Sequence, residues 1–260
     1  MIMINRCYCM DNLELMKQME NESIDLIYCD ILYGTGRKFD DFQDLKPNRE
    51  IIEDFYRPRI KEMHRILKNT GSIYLQMDYR ISHWIRIIMD DIFGYDNFRN
   101  EIIWAYDRWT NSTKDFIRSH DNILRYTKSN DYIYNEQFEP FSEKSKHKGN
   151  RYSKVNSKGK LEQKYVSNTR LKALKDVWNI SILNSRAKER VGYDTQKPKA
   201  LLERIIKASS NKGDIVADFF CGSGTTGVVA KELGRNYIMC DINPKAIEIS
   251  EQRLKEVILL

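Results

Sequence analysis

Apolar positions along the chain fall into short blocks that alternate between strand-like runs and helical spacing. Ile2 to Cys9 reads as a strand, and Asp11 opens a helix to about Met19, with Glu14 placed to complete a capping box. Ile24 to Cys29 is a second apolar run, closed by Asp30, and Tyr33-Gly34-Thr35-Gly36 after it has the composition of a loop. A helix is predicted from about Arg49 to Leu67, a strand from Ser72 to Met77, and a helix onward to Phe93. Ile102 to Tyr106 and Asn122 to Thr127 read as two more strands, with Trp104 a core aromatic of the first and Trp109 a less clear one beyond it. The α/β rhythm resumes with a helix from Lys199 to Ala208, a strand from Asp214 to Phe219, a helix from Thr225 to Leu233 and a strand from Tyr237 to Cys240. Asn243 and Pro244 cap a final helix. Strands alternating with helices predict a parallel sheet covered on both faces, with ligand sites at the carboxyl ends of its strands.

Residues 130–192 break the rhythm with charges, Ser, Asn and Lys and no sustained period, so this stretch is expected to be an inserted unit between 1–129 and 193–260. Charge sharpens that expectation. Of the formal net charge of +6, the stretch from Pro140 to Arg190 holds 14 Lys and Arg against four acids, leaving a slightly acidic body. A basic insertion is what a polyanion binder needs, because each neutralised phosphate releases counterions. A solvated charged surface is the alternative. At 260 residues, 41% of them hydrophobic, the chain suits one core of ordinary size plus a small insertion. No apolar run approaches the roughly 20 residues that cross a bilayer, and no secretory signal opens the chain, so a cytoplasmic location without a membrane partner is expected. The five cysteines include no C-x-x-C pair and read as buried free thiols.

Chemistry gathers at two strand ends. Asp218-Phe219-Phe220-Cys221-Gly222-Ser223-Gly224-Thr225-Thr226-Gly227 follows a strand and opens a helix, the context in which a glycine loop lets backbone N–H groups approach an anionic group. Asp241, at the end of the next strand, is placed to accept hydrogen bonds from ribose hydroxyls. Together they describe a nucleoside site. Gly222, Gly224 and Gly227 also match the dinucleotide fingerprint, but only one strand and one helix follow before Leu260, too few for a dinucleotide-binding half. The other strand end carries Asp30-Ile31-Leu32-Tyr33.

This pair of motifs resembles the catalytic D-P-P-Y and cofactor F-x-G-x-G motifs of amino-methylating DNA methyltransferases, and the order of the motifs resembles the beta class of that family. Thr195-Gln196-Lys197-Pro198 is similar to a further motif of the class. The resemblance spans nearly the whole chain. It implies a Rossmann-like S-adenosylmethionine-dependent methyltransferase sheet with circularly permuted motif order, no metal, and action on an exocyclic amino group, from a restriction-modification system or an orphan modification enzyme. By the same resemblance, Asp30 and the carbonyl of Ile31 would accept the two amino hydrogens, and Tyr33 would stack on a flipped-out base. The loop around Phe220, Gly222, Gly224 and Thr225 would hold the methionine part of S-adenosylmethionine, with Asp30 beside it. Asp241 would hold its ribose and Thr195 its carboxylate, and Asp11 has a role near its adenine or serves only as a helix cap.

The resemblance implies double-stranded DNA as partner, with Lys144, Lys146, Lys148, Arg151 and Lys154 in the basic insertion as expected contacts, and leaves a homodimer open. Ile31 and Leu32 stand where the family has two prolines, which removes backbone stiffness and adds an N–H at Ile31 that needs a partner. Adenine N6 is the expected target, since Asp30 begins the motif where Ser more often marks cytosine N4. The alternatives are a cytosine N4 enzyme, a weak DNA-binding partner subunit, or methylation of RNA or a small molecule.

Overall fold

The computed structural model describes residues 2–38, 43–108, 113–140, 151–155, 161–165, 171–184 and 186–257, with backbone alone for 151–155 and 161–165. Trp109, Lys144, Lys146 and Lys148 therefore lie outside the described residues, as do the side chains of Arg151 and Lys154. The chain forms two units, one of residues 1–135 with 176–260 and the other of residues 136–175.

In the larger unit the first half runs β1 (Arg6–Cys9), α1 (Asn12–Lys17), β2 (Ile24–Asp30), α2 (Arg49–Ile66), β3 (Leu67–Met77), α3 (Ser82–Phe93), β4 (Phe98–Ala105) and β5 (His120–Thr127). The smaller unit holds β6 (Phe138–Pro140), β7 (Arg151–Val155), β8 (Leu161–Tyr165) and β9 (Leu171–Ala173), paired as two antiparallel ribbons, β6 with β9 and β7 with β8. The larger unit then resumes with β10 (Val177–Asn179), α4 (Lys199–Ser209), β11 (Ile215–Asp218), α5 (Thr225–Glu232), β12 (Asn236–Asp241) and α6 (Pro244–Glu256). The separate unit is thus narrower than the expected 130–192. Val177–Asn179 belongs to the main sheet, pairing with Ile103–Ala105 of β4, and Asn135 is tied to α4 through the Ala208 carbonyl at 2.7 Å.

The sheet has eight strands in the order β1-β12-β11-β2-β3-β5-β4-β10. Seven point one way. β5 is antiparallel to both its neighbours, β3 and β4, which departs from the all-parallel expectation. Period-2 alternation sends Ile27 and Cys29 into an apolar cluster with Leu15 and Met16 of α1, Ile52 and Ile60 of α2, and Ile85 and Ile88 of α3. Tyr28 points the opposite way. Its neighbour Tyr74 bonds Ser209 at the end of α4 at 2.7 Å, so α4 and the helix packed on it, α5, cover that second face.

One boundary and one capping pattern differ from expectation for local reasons. The first strand begins at Arg6, because Asn5 adopts φ 60° and uses its amide to bridge Asn236 and the Tyr237 N–H. Asp11 caps α1 by accepting from Leu13 and Glu14 N–H at 2.8 and 3.3 Å, while Glu14 turns to Lys17 instead of closing the capping box. Cys29, Cys221 and Cys240 are buried, whereas Cys7 is half-buried and Cys9 exposed, against the expectation of buried thiols throughout. No helix among the described residues is long and apolar enough to cross a membrane.

The sheet's centre is fastened by Asp25, a buried carboxylate on β2 that accepts from the Ile215 N–H of β11 at 2.9 Å and from Lys68 of β3 at 2.7 Å. Replacing it with Ala leaves the part-buried Ile215 N–H and the Lys68 ammonium without their partner. Asp25→Ala is expected to cost about 1–3 kcal/mol, seen as a lower urea midpoint with an unchanged m-value.

Candidate active site

The strand order reverses direction between β11 and β2, which run parallel side by side, so the loops leaving their carboxyl ends diverge and leave a crevice. A cavity of about 590 Å³ occupies that crevice. It lies within the range of small-molecule sites. Asp11, Asp30, Ile31, Tyr33, Thr195, Phe220, Gly222, Thr225 and Asp241 all line it. The structure therefore brings together every expected catalytic and cofactor residue except Gly224, which sits behind the wall and shapes it.

Gly224 takes φ +74° as the residue before α5, and a Cβ there would lie 3.0 Å from the Ser250 Cα of α6. Only glycine fits that approach. The loop is gripped from behind by α6: Ser250 donates to the Gly222 carbonyl at 2.9 Å, and buried Arg253 donates to the Ser223 carbonyl at 2.6 Å and meets the Thr225 hydroxyl at 3.0 Å. Thr225 thus accepts one bond from the scaffold.

Two carboxylates define the loop's near side. Asp218 accepts from the Phe220 N–H at 3.0 Å and the Thr226 hydroxyl at 2.6 Å, and burial pushes its carboxyl up to about 7. Asp241, at the end of β12, accepts from the Gly222 N–H and the Asn243 N–H, each at 2.9 Å. Burial raises it too, with those N–H groups pulling the other way. With about four lone-pair sites on its two oxygens, Asp241 can still accept from a further donor. At the far end of the cavity Asp11 has a partner beyond its cap: Arg59 of α2 donates to its second oxygen at 2.6 Å, donates to Asn12 at 2.8 Å, and stacks 3.7 Å over the Phe55 ring.

Asp30 ends β2, and Ile31 continues the ladder by donating its N–H to the Gln76 carbonyl at 3.0 Å. The donor that a proline would have removed is thereby satisfied. The Leu32 carbonyl accepts from the buried Tyr56 hydroxyl at 3.0 Å, and Asp44, itself buried, accepts from the N–H groups of Gly34 and Thr35 at 3.1 and 2.7 Å. Tyr56 and Asp44 supply by hydrogen bonding the stiffness that two prolines would have supplied covalently. Neither stands out in the sequence, because nothing in the pattern separates them from an ordinary helix aromatic and a loop acid.

The carboxylate of Asp30 meets the Tyr33 hydroxyl at 2.8 Å on one oxygen and the Lys197 ammonium on the other. Burial raises the Asp30 carboxyl above its ordinary value; Lys197 pulls it down and Asp121 pushes it further up. Burial and the same two acids hold the Tyr33 phenol well above its usual range, so it stays neutral. Asp121, buried at the start of β5, lies 2.7 Å from the Tyr33 hydroxyl and also accepts from Gln76 at 2.9 Å and Tyr106 at 2.9 Å. Trp104 is a core residue as expected, its indole N–H donating to the Ile180 carbonyl at 2.7 Å.

Comparison with known proteins fits this arrangement. The family model N6_N4_Mtase, described as DNA methylase, matches residues 24–252. The type II methyltransferase M.HpaI of Haemophilus parainfluenzae is 34% identical over 97% of this chain and 74% of its own length. The DNA adenine methyltransferase YhdJ of Escherichia coli (strain K12) is 32% identical over 94% of this chain and 80% of its own. Among solved structures, the cytosine-N4-specific PvuII DNA methyltransferase superposes with a TM-score of 0.67 at 18% identity, covering 95% of this chain and 85% of that one. The M1.HpyAVI–SAM complex does so with a TM-score of 0.58 at 20% identity, covering 96% and 99%. With the family model spanning both the Asp30 strand end and the glycine loop, this chain belongs to the N6/N4 family of amino-methylating DNA methylases.

Proposed function

We propose that this chain is an S-adenosylmethionine-dependent methyltransferase acting on adenine N6 of a flipped-out base in double-stranded DNA. The observation that carries the reading is the opening of Asp30 and the glycine loop into one cavity at the carboxyl ends of adjacent parallel strands. The cavity fits the cofactor: acceptors at Asp241 for ribose hydroxyls, backbone and Thr195 at the amino-acid end, Phe220 as an apolar wall, and Arg59 held by Asp11 beside it. Asp11 is therefore a cap and a holder of Arg59, and it reaches the cofactor only as a wall of the cavity.

S-adenosylmethionine supplies an electrophilic methyl group on a sulfonium. The chain's own work is on the amino group. Its nitrogen lone pair is delocalised into the ring, and the Asp30 carboxylate with the Ile31 carbonyl would draw the two hydrogens so that the lone pair faces the methyl. Tyr33 would stack on the base, its ring fixed because its hydroxyl is anchored by Asp30 and Asp121. The tie of Ile31 to Gln76 supports an active enzyme over a weak partner subunit, since the acceptor pair stays on a hydrogen-bonded strand end. Asp30 at the head of the motif, and a relative named as an adenine methyltransferase, favour adenine.

Incubation of the purified chain with labelled cofactor and mixed-sequence DNA, followed by digestion to nucleosides and mass analysis, is expected to yield N6-methyladenine. N4-methylcytosine would overturn the choice of base. Asp30→Ala is expected to lower transfer by about 100-fold or more. Gly224→Ala should weaken cofactor binding by about 10-fold or more in equilibrium dialysis while leaving DNA binding unchanged, because the strain falls on the loop alone. Neutralising Lys144, Lys146 and Lys148 together is expected to lower the slope of log affinity against log salt by roughly 0.9 for each phosphate no longer neutralised. An unchanged slope would return those lysines to the solvated surface.

A further inference from the structure

Asp30, Tyr33 and Asp121 form a row with an electrostatic problem. The Tyr33 hydroxyl lies 2.8 Å from one Asp30 oxygen and 2.7 Å from one Asp121 oxygen, yet it has a single proton to donate. Two carboxylates bracketing one neutral hydroxyl repel, and in a buried setting that repulsion is relieved by taking up a proton or by a cation. A protonated Asp30 could not accept an amino hydrogen. The structure places a cation at this point: Lys197, from the Thr195-Gln196-Lys197-Pro198 segment ahead of α4, donates to the Asp30 oxygen that Tyr33 leaves free.

Lys197 is itself held. It also donates to the Thr195 carbonyl at 3.3 Å, its ammonium lies 5.6 Å from the Tyr33 ring centroid, and its side chain is only 14% exposed. The segment is fixed beside the site by Gln196, which is buried, donates to the Glu189 carbonyl at 2.6 Å and accepts from the Val191 N–H at 2.9 Å. On the other side, Asp121 is fixed by Gln76 and Tyr106, and Gln76 in turn by the Tyr28 hydroxyl at 2.7 Å. The other ionisable groups that interact with Asp30 among the described residues are Cys29, Tyr28 and Tyr56, whose thiol and phenols burial holds well above their usual ranges, and Asp218 at the end of the adjacent strand β11. Lys197 is the one cation in direct contact with Asp30 among the described residues.

We propose that Lys197 and Asp121 are positioning residues of opposite electrostatic sign, Lys197 keeping Asp30 ionised and Asp121 competing with Asp30 for the single Tyr33 proton while opposing its charge. Each oxygen of Asp30 makes at most one bond in the row, and a carboxylate has about four lone-pair sites, so acceptance of an amino hydrogen remains open. The row clamps the side-chain rotamer that the missing prolines would have favoured only indirectly. It also sets the pH at which the acceptor becomes competent. This inference rests on Asp30 being the amino-group acceptor.

The sign of each change is opposite, which makes the test specific. In Lys197→Met the like-charge pair is uncompensated, so the acid limb of kcat/KM should move to higher pH, with activity at pH 7 down on the order of 10-fold and recovering as pH rises. In Asp121→Asn the repulsion is gone, so the acid limb should move to lower pH. Lys197→Arg should keep the limb near that of the unaltered protein. Carboxyl-carbon NMR of aspartate-labelled protein reads the Asp30 titration without catalysis, assigned by the signal that disappears in Asp30→Asn, and should shift in the same two directions. If Asp30→Ala still methylates DNA, the acceptor reading itself fails. If Asp30→Ala is inactive but the profiles and NMR titrations of Lys197→Met and Asp121→Asn overlay the unaltered protein, only the roles given to Lys197 and Asp121 fail.

Discussion

Everything in the site depends on one strand pairing, β11 against β2. Residues 190 apart in sequence, such as Asp25 and Ile215, meet there, and the carboxyl ends of the two strands deliver Asp30 and the glycine loop to opposite walls of one crevice. Neither half is a site alone. Under the proposed function, the Asp30 strand end without the loop would have no methyl donor to face, and the loop without Asp30 would hold a cofactor with no acceptor opposite it. The buried Asp25 matters because it fastens this pairing at the end of the strands away from the cavity.

At the cavity end the dominant feature is an excess of buried acceptors. Asp30, Asp218 and Asp241 each have their carboxyl raised by burial, Asp218 to about 7, and each is tethered by donors from its own or a neighbouring loop. Such an edge suits a reaction whose demands are mostly for acceptors: hydroxyl hydrogens of a ribose and amino hydrogens of a base. The two cations that line the cavity, Lys197 and Arg59, are each bonded to a carboxylate, so they shape the acceptors and leave little free positive charge.

Much of the architecture was legible in the sequence because the informative residues are local. Strand ends marked by Asp30 and Asp241, the loop from Asp218 to Gly227, and the helix cap at Asp11 each announce themselves within a few positions. Long-range pairing does not. The antiparallel course of β5 and the return of Val177–Asn179 to the edge of the sheet depend on where a strand goes after it leaves, for which three or eight residues carry no signal. The site shows the same division. Asp30, Tyr33 and Thr195 are readable as a motif, whereas Asp121, Gln76 and Tyr56 act through contacts between segments 24 to 88 positions apart. Ile31 reads as a missing constraint because a proline's stiffness is written in the residue itself, while the replacement is written in the Gln76 carbonyl and the Tyr56 hydroxyl. The basic insertion is readable only as charge, which names a class of partner without naming contacts.

The pairing of β1 with β12 carries a consequence for how the protein is made. β1 is an edge strand whose ladder partner is β12, so Arg6 waits for Ile238. The glycine loop is likewise braced by Ser250 and Arg253 of α6. During synthesis an early strand stays unpaired and the cofactor cradle unbraced until the late segments emerge, and such high-separation contacts slow the final closure. A nascent chain lacking α6 would carry Asp30 and Tyr33 in full yet lack the brace of the glycine loop, so the Asp30 strand end is made well before the loop it faces can be held in shape.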